Sequence, residues 1–445
     1  MLRRSPAHRL RLIAQHLTPN SYRAAASSSS LPSLSSSGPT SRSFASTAPA
    51  ARDTTATPRK GSWVFTTAAA AHGKPQRNPR TNSPSSNPQP KKVAQGLPAD
   101  HPLNAWRDEQ LRECNAPKEV GAGHDFWMVQ GVPEGEGSER SGTKGVVLGV
   151  ADGVGGWEES GVDPSHFSQA LMWFARERIR SSRWALPEEG DDRSGDRMQE
   201  LLDGAYKDVM AERGIVAGSS TACLVALDAE TGMLHAANLG DSGFYILRPV
   251  DASELPPTPP PSPSAPGSLS PAPPINYKLL HAQEPQVYFF NAPRQMSKIP
   301  QNVLDEAKRE GKQGDLFLAK ADEADTISFQ LKDGDVVMLV TDGYSDNTWA
   351  AGETDRLVSL IRSKVASTAS STASPSSTDS ELASAIAQTA VNFARMVSFR
   401  KDAYTPFCAE AKRWNIRGFE RGGKVDDVTV VVAVVRKQGG VGGEQ

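Results

Sequence analysis

An apolar run that ends on a carboxylate and is followed by glycines most constrains the fold of this chain. Val146 to Ala151 has the length and continuous hydrophobicity of a strand buried on both faces, and Asp152 follows it directly. The glycine-rich sequence Gly153 to Trp157 comes next, and glycine lets a backbone approach a ligand closely. A strand ending in a tight turn would give the same pattern without any ligand. The pattern therefore predicts Asp152 at a sheet edge and leaves its role open.

Similar combinations of apolar run and carboxylate occur twice more. Val336 to Thr341 runs into Asp342, whereas Asp426 and Asp427 come just before the apolar run Val428 to Val435. In an antiparallel sheet the end of one strand lies beside the start of its neighbour, so these acids could meet at one edge. Carboxylates gathered at one point repel each other unless cations neutralise them. Hard oxygen ligands indicate Mg²⁺ or Mn²⁺.

Two further aspartates are candidates for the same site. Asp125 lies in the sequence Gly-His-Asp-Phe, and Asp241 lies in a Gly-Asp-Ser-Gly turn. Cysteine and histidine are scarce near all these acids, which argues against zinc. The three cysteines, Cys114, Cys223 and Cys408, are too far apart to suggest a disulfide framework or a zinc cluster. We expect free thiols in a reducing compartment.

Periodicity predicts an alternation of strands and helices along the rest of the chain. Strands are predicted at 61–71, 221–227, 233–239, 244–248 and 327–331. Helices are predicted after an N-cap at Asp163, with Pro164 as first helical residue, and at 198–213, 355–364 and 379–399. Short turns between consecutive strands imply antiparallel sheets. Trp157 and Trp173 are expected to pack in the core, and His124 and His166 to be turn or surface residues.

Residues 1–52 have the composition of a mitochondrial targeting segment. They are rich in arginine and serine, and no acid occurs before Asp53. A disordered basic tail is the alternative, and a secretory signal fits worse because no continuous apolar stretch follows the arginines. The domain is predicted to span 61–438, with disordered insertions near 75–95, 249–274 and 365–378.

Charge and hydropathy restrict the partners. The chain has 49 Lys plus Arg against 51 Asp plus Glu, so its overall charge does not suggest nucleic acid as a partner. The longest apolar run, Val428 to Val435, is too short to cross a bilayer. We therefore expect neither nucleic-acid binding nor a transmembrane segment.

Taken together in order, these motifs resemble the metal-dependent type 2C protein Ser/Thr phosphatases. The resemblance covers roughly Gly61 to Val435. Within the family, the chain most resembles a mitochondrial branch whose first metal motif is Asp-Gly-Val-Gly-Gly-Trp. The sequences that carry it are GHDFWMV, GVADGVGGW, GVDPSHFSQALM, STACLVALD, ANLGDSGFYILR, FFNAPRQMSKIP, LVTDGYSDN, PFCAEA and GGKVDDVTVVV. With the strand pattern, it implies an α+β fold, a four-layer α-β-β-α sandwich of two antiparallel sheets flanked by helices.

The resemblance also implies a metal centre. Asp152 would bridge two metals, Mg²⁺ or Mn²⁺, and the carbonyl of Gly153 would bind one of them. Asp342 and Asp426 would complete the other, and Asp125 would support a water at the metals. Two more acids, Asp241 and Asp346, are similar to those that hold a weaker third metal with Asp342 in some relatives. Asp427 would orient Asp426 or cap the strand.

Two departures from the wider family concern the reaction. Val154 stands where many relatives have a histidine proposed to protonate the leaving group, so that proton would come from a water at the metals. No arginine lies shortly before Asp125, where many relatives place a phosphate-binding one. Arg140, Arg294 or Lys298 could contribute to phosphate binding instead.

The resemblance implies hydrolysis of phosphoserine and phosphothreonine on mitochondrial proteins by a metal-activated water, in the matrix. Asp152, Asp342 and Asp125 would be the catalytic residues. Two alternatives remain open on the same fold. One is a metal-poor pseudophosphatase that acts as a binding or scaffold module, and the other is a phosphohydrolase of small molecules.

Overall fold

Two antiparallel five-stranded sheets lie face to face at the centre of the computed structural model. The model describes residues 63–75, 96–134, 143–187, 194–250, 276–311, 318–369 and 374–438. The strands of the first sheet, in spatial order, are β1 (Trp63–His72), β14 (Val428–Lys437), β13 (Val336–Val340), β7 (Gly243–Pro249) and β8 (Tyr277–Ala282). Those of the second sheet are β12 (Asp325–Gln330), β6 (Met233–Leu239), β5 (Ala222–Asp228), β3 (Thr143–Asp152) and β2 (Asp125–Pro133).

Helices cover the outer face of each sheet, which confirms the predicted four-layer α-β-β-α sandwich. The helices are α1 (Pro102–Glu113), α2 (Ser165–Arg180), α3 (Ser194–Ala211), α4 (Gln301–Arg309), α5 (Asp342–Ser345), α6 (Asp355–Thr368), α7 (Pro375–Ser398) and α8 (Pro406–Arg413). On the second sheet, α2 lies against β2 and β3, and α3 packs beside it. On the first sheet, α7 lies against β1 and β14, and α6 packs on α7.

Short elements complete the described chain. Two small strand pairs join β4 (Gly218–Ser220) to β11 (Met296–Lys298) and β9 (Val287–Phe289) to β10 (Ala292–Pro293). A 3₁₀ helix, Gly155–Ser160, follows β3, and a second one covers Ala321–Glu323. No helix in the described part of the chain is both long enough and apolar enough to span a membrane.

Strand β14 shows why its sequence is apolar at nearly every position. Val431, Ala433 and Val435 face the cluster between the two sheets. Val430 and Val432 alternate with them and join the separate cluster beneath α6 and α7. Because successive side chains point to opposite faces of a strand, burial on both faces requires a continuous apolar run.

Several predicted boundaries differ from the structure. Helix α2 begins at Ser165 with Pro164 as its N-cap, and the Asp163 carboxylate accepts hydrogen bonds from the backbone N–H and hydroxyl of Ser165. Helix α6 continues to Thr368, and α7 begins at Pro375, so ordered helix enters both ends of the linker predicted at 365–378. Propensity alone does not identify these helix ends, because packing against the sheet extends a helix into polar sequence.

Other predictions lie outside the described residues. They are the targeting segment 1–52, nearly all of the insertion at 75–95, and all but the first two residues of the insertion at 249–274. The three cysteines are described, and all are buried free thiols, as predicted.

Candidate metal centre

Three aspartates from different parts of the chain meet at one end of the sandwich. Asp152 ends β3 of the second sheet, Asp342 begins α5 just beyond β13 of the first sheet, and Asp241 lies in the turn where the chain passes between the sheets from β6 to β7. One carboxylate oxygen from each lies within 4.8 Å of the others. The edge predicted from a single sheet is therefore formed by both sheets.

Asp125 lies opposite Asp152 in the register of β2 and β3. Its side chain is fully buried, and Oδ2 accepts a hydrogen bond of 2.7 Å from the hydroxyl of Thr341. Its Oδ1 is buried without a hydrogen-bond partner in the described part of the chain, as is Oδ1 of Asp241. Such orphaned carboxylate oxygens are costly to bury unless something outside the protein chain satisfies them.

The backbone around Asp152 is fixed by the last residue of β4 and by the residue between β4 and β5. The Asp152 N–H donates to Oγ1 of Thr221 at 3.1 Å, and the Asp152 carbonyl accepts from the hydroxyl of Ser220 at 2.8 Å. A Cβ atom on the next residue, Gly153, would lie 2.6 Å from the carbonyl oxygen of Pro164 and 2.8 Å from that of His124. Only glycine fits this position without backbone movement.

Asp427 holds the loops beside the cluster together. It is 1% exposed, and its carboxylate accepts the backbone N–H groups of Lys74 at 2.7 Å and of His124 at 3.0 Å. A Cβ on Gly123, which has a φ of +67°, would lie 1.8 Å from its Oδ1. The Asp427 N–H in turn donates to Oδ1 of Asp426 at 3.0 Å, so this residue orients Asp426.

Two lysines that the sequence analysis did not single out neutralise part of the cluster. The Lys424 ammonium lies 2.5 Å from Asp342, 2.7 Å from Asp346 and 3.2 Å from Asp426. The Lys74 ammonium lies 2.9 Å from Asp426. Lys424 was visible in the motif GGKVDD, two residues before Asp426, whereas Lys74 follows β1 with no local pattern that points to the site.

Burial and mutual repulsion raise the pKa of most of these acids. Burial is the largest cause for Asp152, followed by Asp342 and Asp125, and burial also raises the pKa of Asp125 and Asp241 well above the ordinary range. The pKa of Asp346 is raised to about 7, mainly by burial, although Lys424 opposes the shift. For Asp426 the two lysines outweigh burial and lower the pKa to about 2. Among the described ion pairs, Asp125, Asp152 and Asp241 have no lysine or arginine partner, although Lys424 opposes the rise in the pKa of Asp241.

The donor set fits a hard divalent cation. The carboxylates offer oxygen ligands, two of the nearby oxygens are orphaned, and the Gly153 backbone lies in a space too small for a side chain. Ions such as Mg²⁺ and Mn²⁺ prefer such oxygen ligands. A bound cation would also offset the repulsion that raises the pKa of Asp152.

Two candidates from the sequence analysis lie close to the site. His124 lies in the turn before β2, as predicted, but it is buried at 7% exposure, and its Nε2 lies 3.0 Å from Oε1 of Glu158. Lys298 donates to the carbonyls of Val209 and Glu212 at the end of α3. The Lys298 ammonium is therefore bound at the C-terminal end of α3, where unpaired carbonyl groups attract a cation.

The structure describes one of the two arginines that were candidates for phosphate binding, Arg294, and does not describe Arg140. Arg294 forms an ion pair of 2.8 Å with Glu323, so its guanidinium already has a carboxylate partner. Arg140 lies outside the described residues.

Trp157 and Trp173 pack as predicted. Trp157 is 1% exposed and donates from its indole N–H to Oγ of Ser219 at 2.8 Å. Trp173 is buried in the main core cluster, with its ring centroid 5.4 Å from that of Trp106. Val154 packs at the edge of the small cluster that contains Trp157.

Comparison with known proteins identifies the family. No protein-family model matches the chain. The protein phosphatase PTC7 homologue fig of Drosophila willistoni is 30% identical over 344 residues, which cover 77% of this chain and 84% of that protein. The chain belongs to the PP2C family of protein phosphatases. The PTC7 homologue of Homo sapiens is also 30% identical, over 65% of this chain and 75% of that protein.

Solved phosphatase structures align with this PP2C phosphatase. The photosystem II phosphatase PBCP aligns with a TM-score of 0.44 and 22% identity, covering 70% of this chain and 91% of that one. The catalytic domain of the serine/threonine phosphatase PstP, solved with two manganese ions, aligns with a TM-score of 0.37 and 15% identity over 84% and 99% of the two chains. The protein is a metal-dependent protein serine/threonine phosphatase by its family.

Proposed function

We propose that this protein hydrolyses phosphoserine and phosphothreonine on mitochondrial proteins, with Mg²⁺ or Mn²⁺ held by the acidic cluster. The observation that carries the proposal is the convergence of Asp152, Asp241 and Asp342, whose carboxylate oxygens lie within 4.8 Å of one another. Divalent ions supply the activation of a water nucleophile and the neutralisation of phosphoryl charge that phosphomonoester hydrolysis needs.

The residues of the chain have separate tasks in this proposal. Asp152, Asp342 and the carbonyl of Gly153 would hold the cations, with Asp241 beside them. The orphaned Oδ1 of Asp125 accepts a hydrogen bond from the attacking water, while Thr341 holds the other oxygen of the same carboxylate. The Thr341 hydroxyl holds the Asp125 carboxylate in place before substrate arrives. This lowers the entropic cost of orienting the attacking water.

The test measures phosphate release from a phosphoserine peptide by the full chain, with Mn²⁺, with Mg²⁺ and with EDTA. We expect activity only with a divalent ion, and a loss of at least about a hundredfold in kcat/KM for Asp152→Asn. Asp108→Asn, an exposed acid on α1, is the matched control and should retain full activity. Absence of metal-dependent hydrolysis in the wild type would indicate a pseudophosphatase instead.

Substrate class and location need separate measurements. Turnover of phosphopeptides should exceed that of small phosphate esters, and the reverse preference would support a small-molecule phosphohydrolase. The full chain with a C-terminal fluorescent tag should accumulate in mitochondria, and deletion of residues 1–52 should abolish this. Unchanged mitochondrial accumulation without those residues would contradict their proposed role as a targeting segment.

A further inference from the structure

The Lys424 ammonium lies inside the acidic cluster, at a position that a cation would take. Its three contacts, at 2.5, 2.7 and 3.2 Å, go to the carboxylates of Asp342, Asp346 and Asp426. An ammonium group has three N–H donors, so each donor can serve one carboxylate. The side chain is 15% exposed, which means that these charges interact away from bulk water.

The backbone of Lys424 is fixed in both directions by one buried side chain. Asn347, which is 1% exposed, accepts from the Lys424 N–H at 2.9 Å and donates to the Lys424 carbonyl at 2.8 Å. The ammonium also lies 5.5 Å from the ring centroid of Phe407, within the range of a cation–π contact. The lysine is therefore directed into the cluster by its surroundings.

A divalent ion cannot share this position with the ammonium. Mg²⁺ needs oxygen atoms at about 2.0–2.1 Å on all sides, and the ammonium already occupies the space between the three carboxylates. Asp152 and Asp241 have no contact with either lysine among the described ion pairs, and one oxygen of each lies within 4.8 Å of an oxygen of Asp342. One part of the cluster therefore pairs directly with Lys424, and the other part has no direct ion pair among the described residues.

We propose that Lys424 is a resident cation of the metal centre, which takes the place of a divalent ion between Asp342, Asp346 and Asp426. The divalent ions then bind on the side of Asp152 and Asp241, and Asp346 binds the lysine and no metal. This inference rests on the proposed metal-dependent function, and it assigns Asp346 and Asp426 to the lysine instead of to the metals that the family resemblance implied. The number of divalent ions that the protein binds then depends on the Lys424 side chain.

The test counts Mn²⁺ ions bound per full-length chain, without substrate, by calorimetric titration and by metal analysis after equilibrium dialysis. Lys424→Met removes the charge at nearly constant volume, and we expect it to bind roughly one more Mn²⁺ than the wild type, because three carboxylates become available. Lys424→Arg keeps the charge and should show the wild-type count. Lys412→Met, an exposed lysine on α8, is the control for loss of a surface charge.

A second readout is thermal unfolding. In EDTA the midpoint for Lys424→Met should fall below that of the wild type, because the buried carboxylates lose their cation, and Mn²⁺ should raise it by more than it raises the wild type. Asp346→Asn offers an independent check that does not depend on the folding of the lysine variant. It should leave the Mn²⁺ count of the wild type unchanged.

Each alternative outcome contradicts the proposal in a distinct way. An unchanged or lower Mn²⁺ count in Lys424→Met, or loss of an ion in Asp346→Asn, would show that a metal occupies the position assigned to the lysine. Failure of wild type and Lys424→Met alike to bind Mn²⁺ would overturn this proposal together with the proposed function. Normal Mn²⁺ binding without phosphopeptide hydrolysis would overturn the proposed function alone.

Discussion

Asp125 and Asp152 face each other across neighbouring strands, with no cation of the described chain within ion-pair distance of either carboxylate. Like charges directly opposite in a sheet destabilise it. Here Asp125 is fully buried and Asp152 half-buried, and Asp125 raises the pKa of Asp152 because ionisation of one disfavours ionisation of the other. This repulsion between carboxylates lowers the stability of the metal-free protein, and a bound cation would relieve it.

Asp125→Asn should therefore stabilise the metal-free protein and impair the enzyme. Removing one charge relieves repulsion, and we expect unfolding in EDTA to cost up to about 1 kcal/mol more than in the wild type. Phosphopeptide turnover with Mn²⁺ should fall at least about tenfold, since the amide is a poorer acceptor for the attacking water. Asp325→Asn, an exposed acid on β12, should change neither quantity. Lower stability in EDTA together with full activity would contradict this account.

Gly153→Ala tests the close packing of the first metal motif. The new Cβ would lie 2.6 Å from the Pro164 carbonyl oxygen and 2.8 Å from that of His124, so backbone must shift. We expect a loss of about 1–3 kcal/mol in the free energy of unfolding and weaker Mn²⁺ binding. Gly156→Ala is the matched control, because its Cβ would have no atom within 4 Å. Equal effects of the two substitutions in chemical denaturation and Mn²⁺ titration would show that the contact does not matter.

Asp335→Asn tests an ion pair in the first sheet, away from the metal centre. Asp335 is fully buried, and both its oxygens bind the Arg248 guanidinium, at 2.8 and 2.7 Å. Removing one partner of a buried pair leaves the other charge unpaired, and we expect a loss of about 2–4 kcal/mol by urea unfolding. Lys332→Gln, an exposed change in the same turn, should have little effect. Metal affinity should stay at the wild-type value in both variants.

His281 should make the protein less stable in mild acid. Burial lowers the pKa of its ring below the ordinary 6.5, and the ring lies 4.7 Å from that of Phe244. Above pH 6.5 the residue is neutral in both the folded and unfolded states. As the pH falls below 6.5, the unfolded state binds the proton first, so the free energy of unfolding decreases until the folded pKa is reached.

The measurement is urea unfolding between pH 5 and 8. His281→Leu should have a shallower decrease below pH 6.5 than the wild type, with a remaining slope because burial also lowers the pKa of His72. A wild-type slope that persists unchanged in His281→Leu would assign the pH dependence to other groups.

Much of the sheet architecture could be predicted from local patterns. The strand predicted at Met233–Leu239 has those limits in the structure, and the apolar run from Val428 to Val435 is a strand buried on both faces. Helices α1 and α8 are among the elements that the sequence analysis did not predict. Their apolar residues are few, and buried contacts with the sandwich determine that these segments are helical.

The sequence by itself determined which residue types could form a metal centre. Aspartates at the limits of apolar strands, a glycine-rich turn after Asp152, and the absence of clustered cysteines specified oxygen ligands and a hard cation. These features are local, so they can be recognised without knowing how the sheets pack.

Only the tertiary structure decided which charges meet. Asp152 and Asp342 come from different sheets, Asp241 joins them from the turn between the sheets, and Lys424 reaches three carboxylates from the loop before β14. Sequence patterns report the period of a strand or a helix, whereas the distance between two charges depends on how the layers pack. The packing of the two sheets therefore decides how many carboxylates Lys424 neutralises.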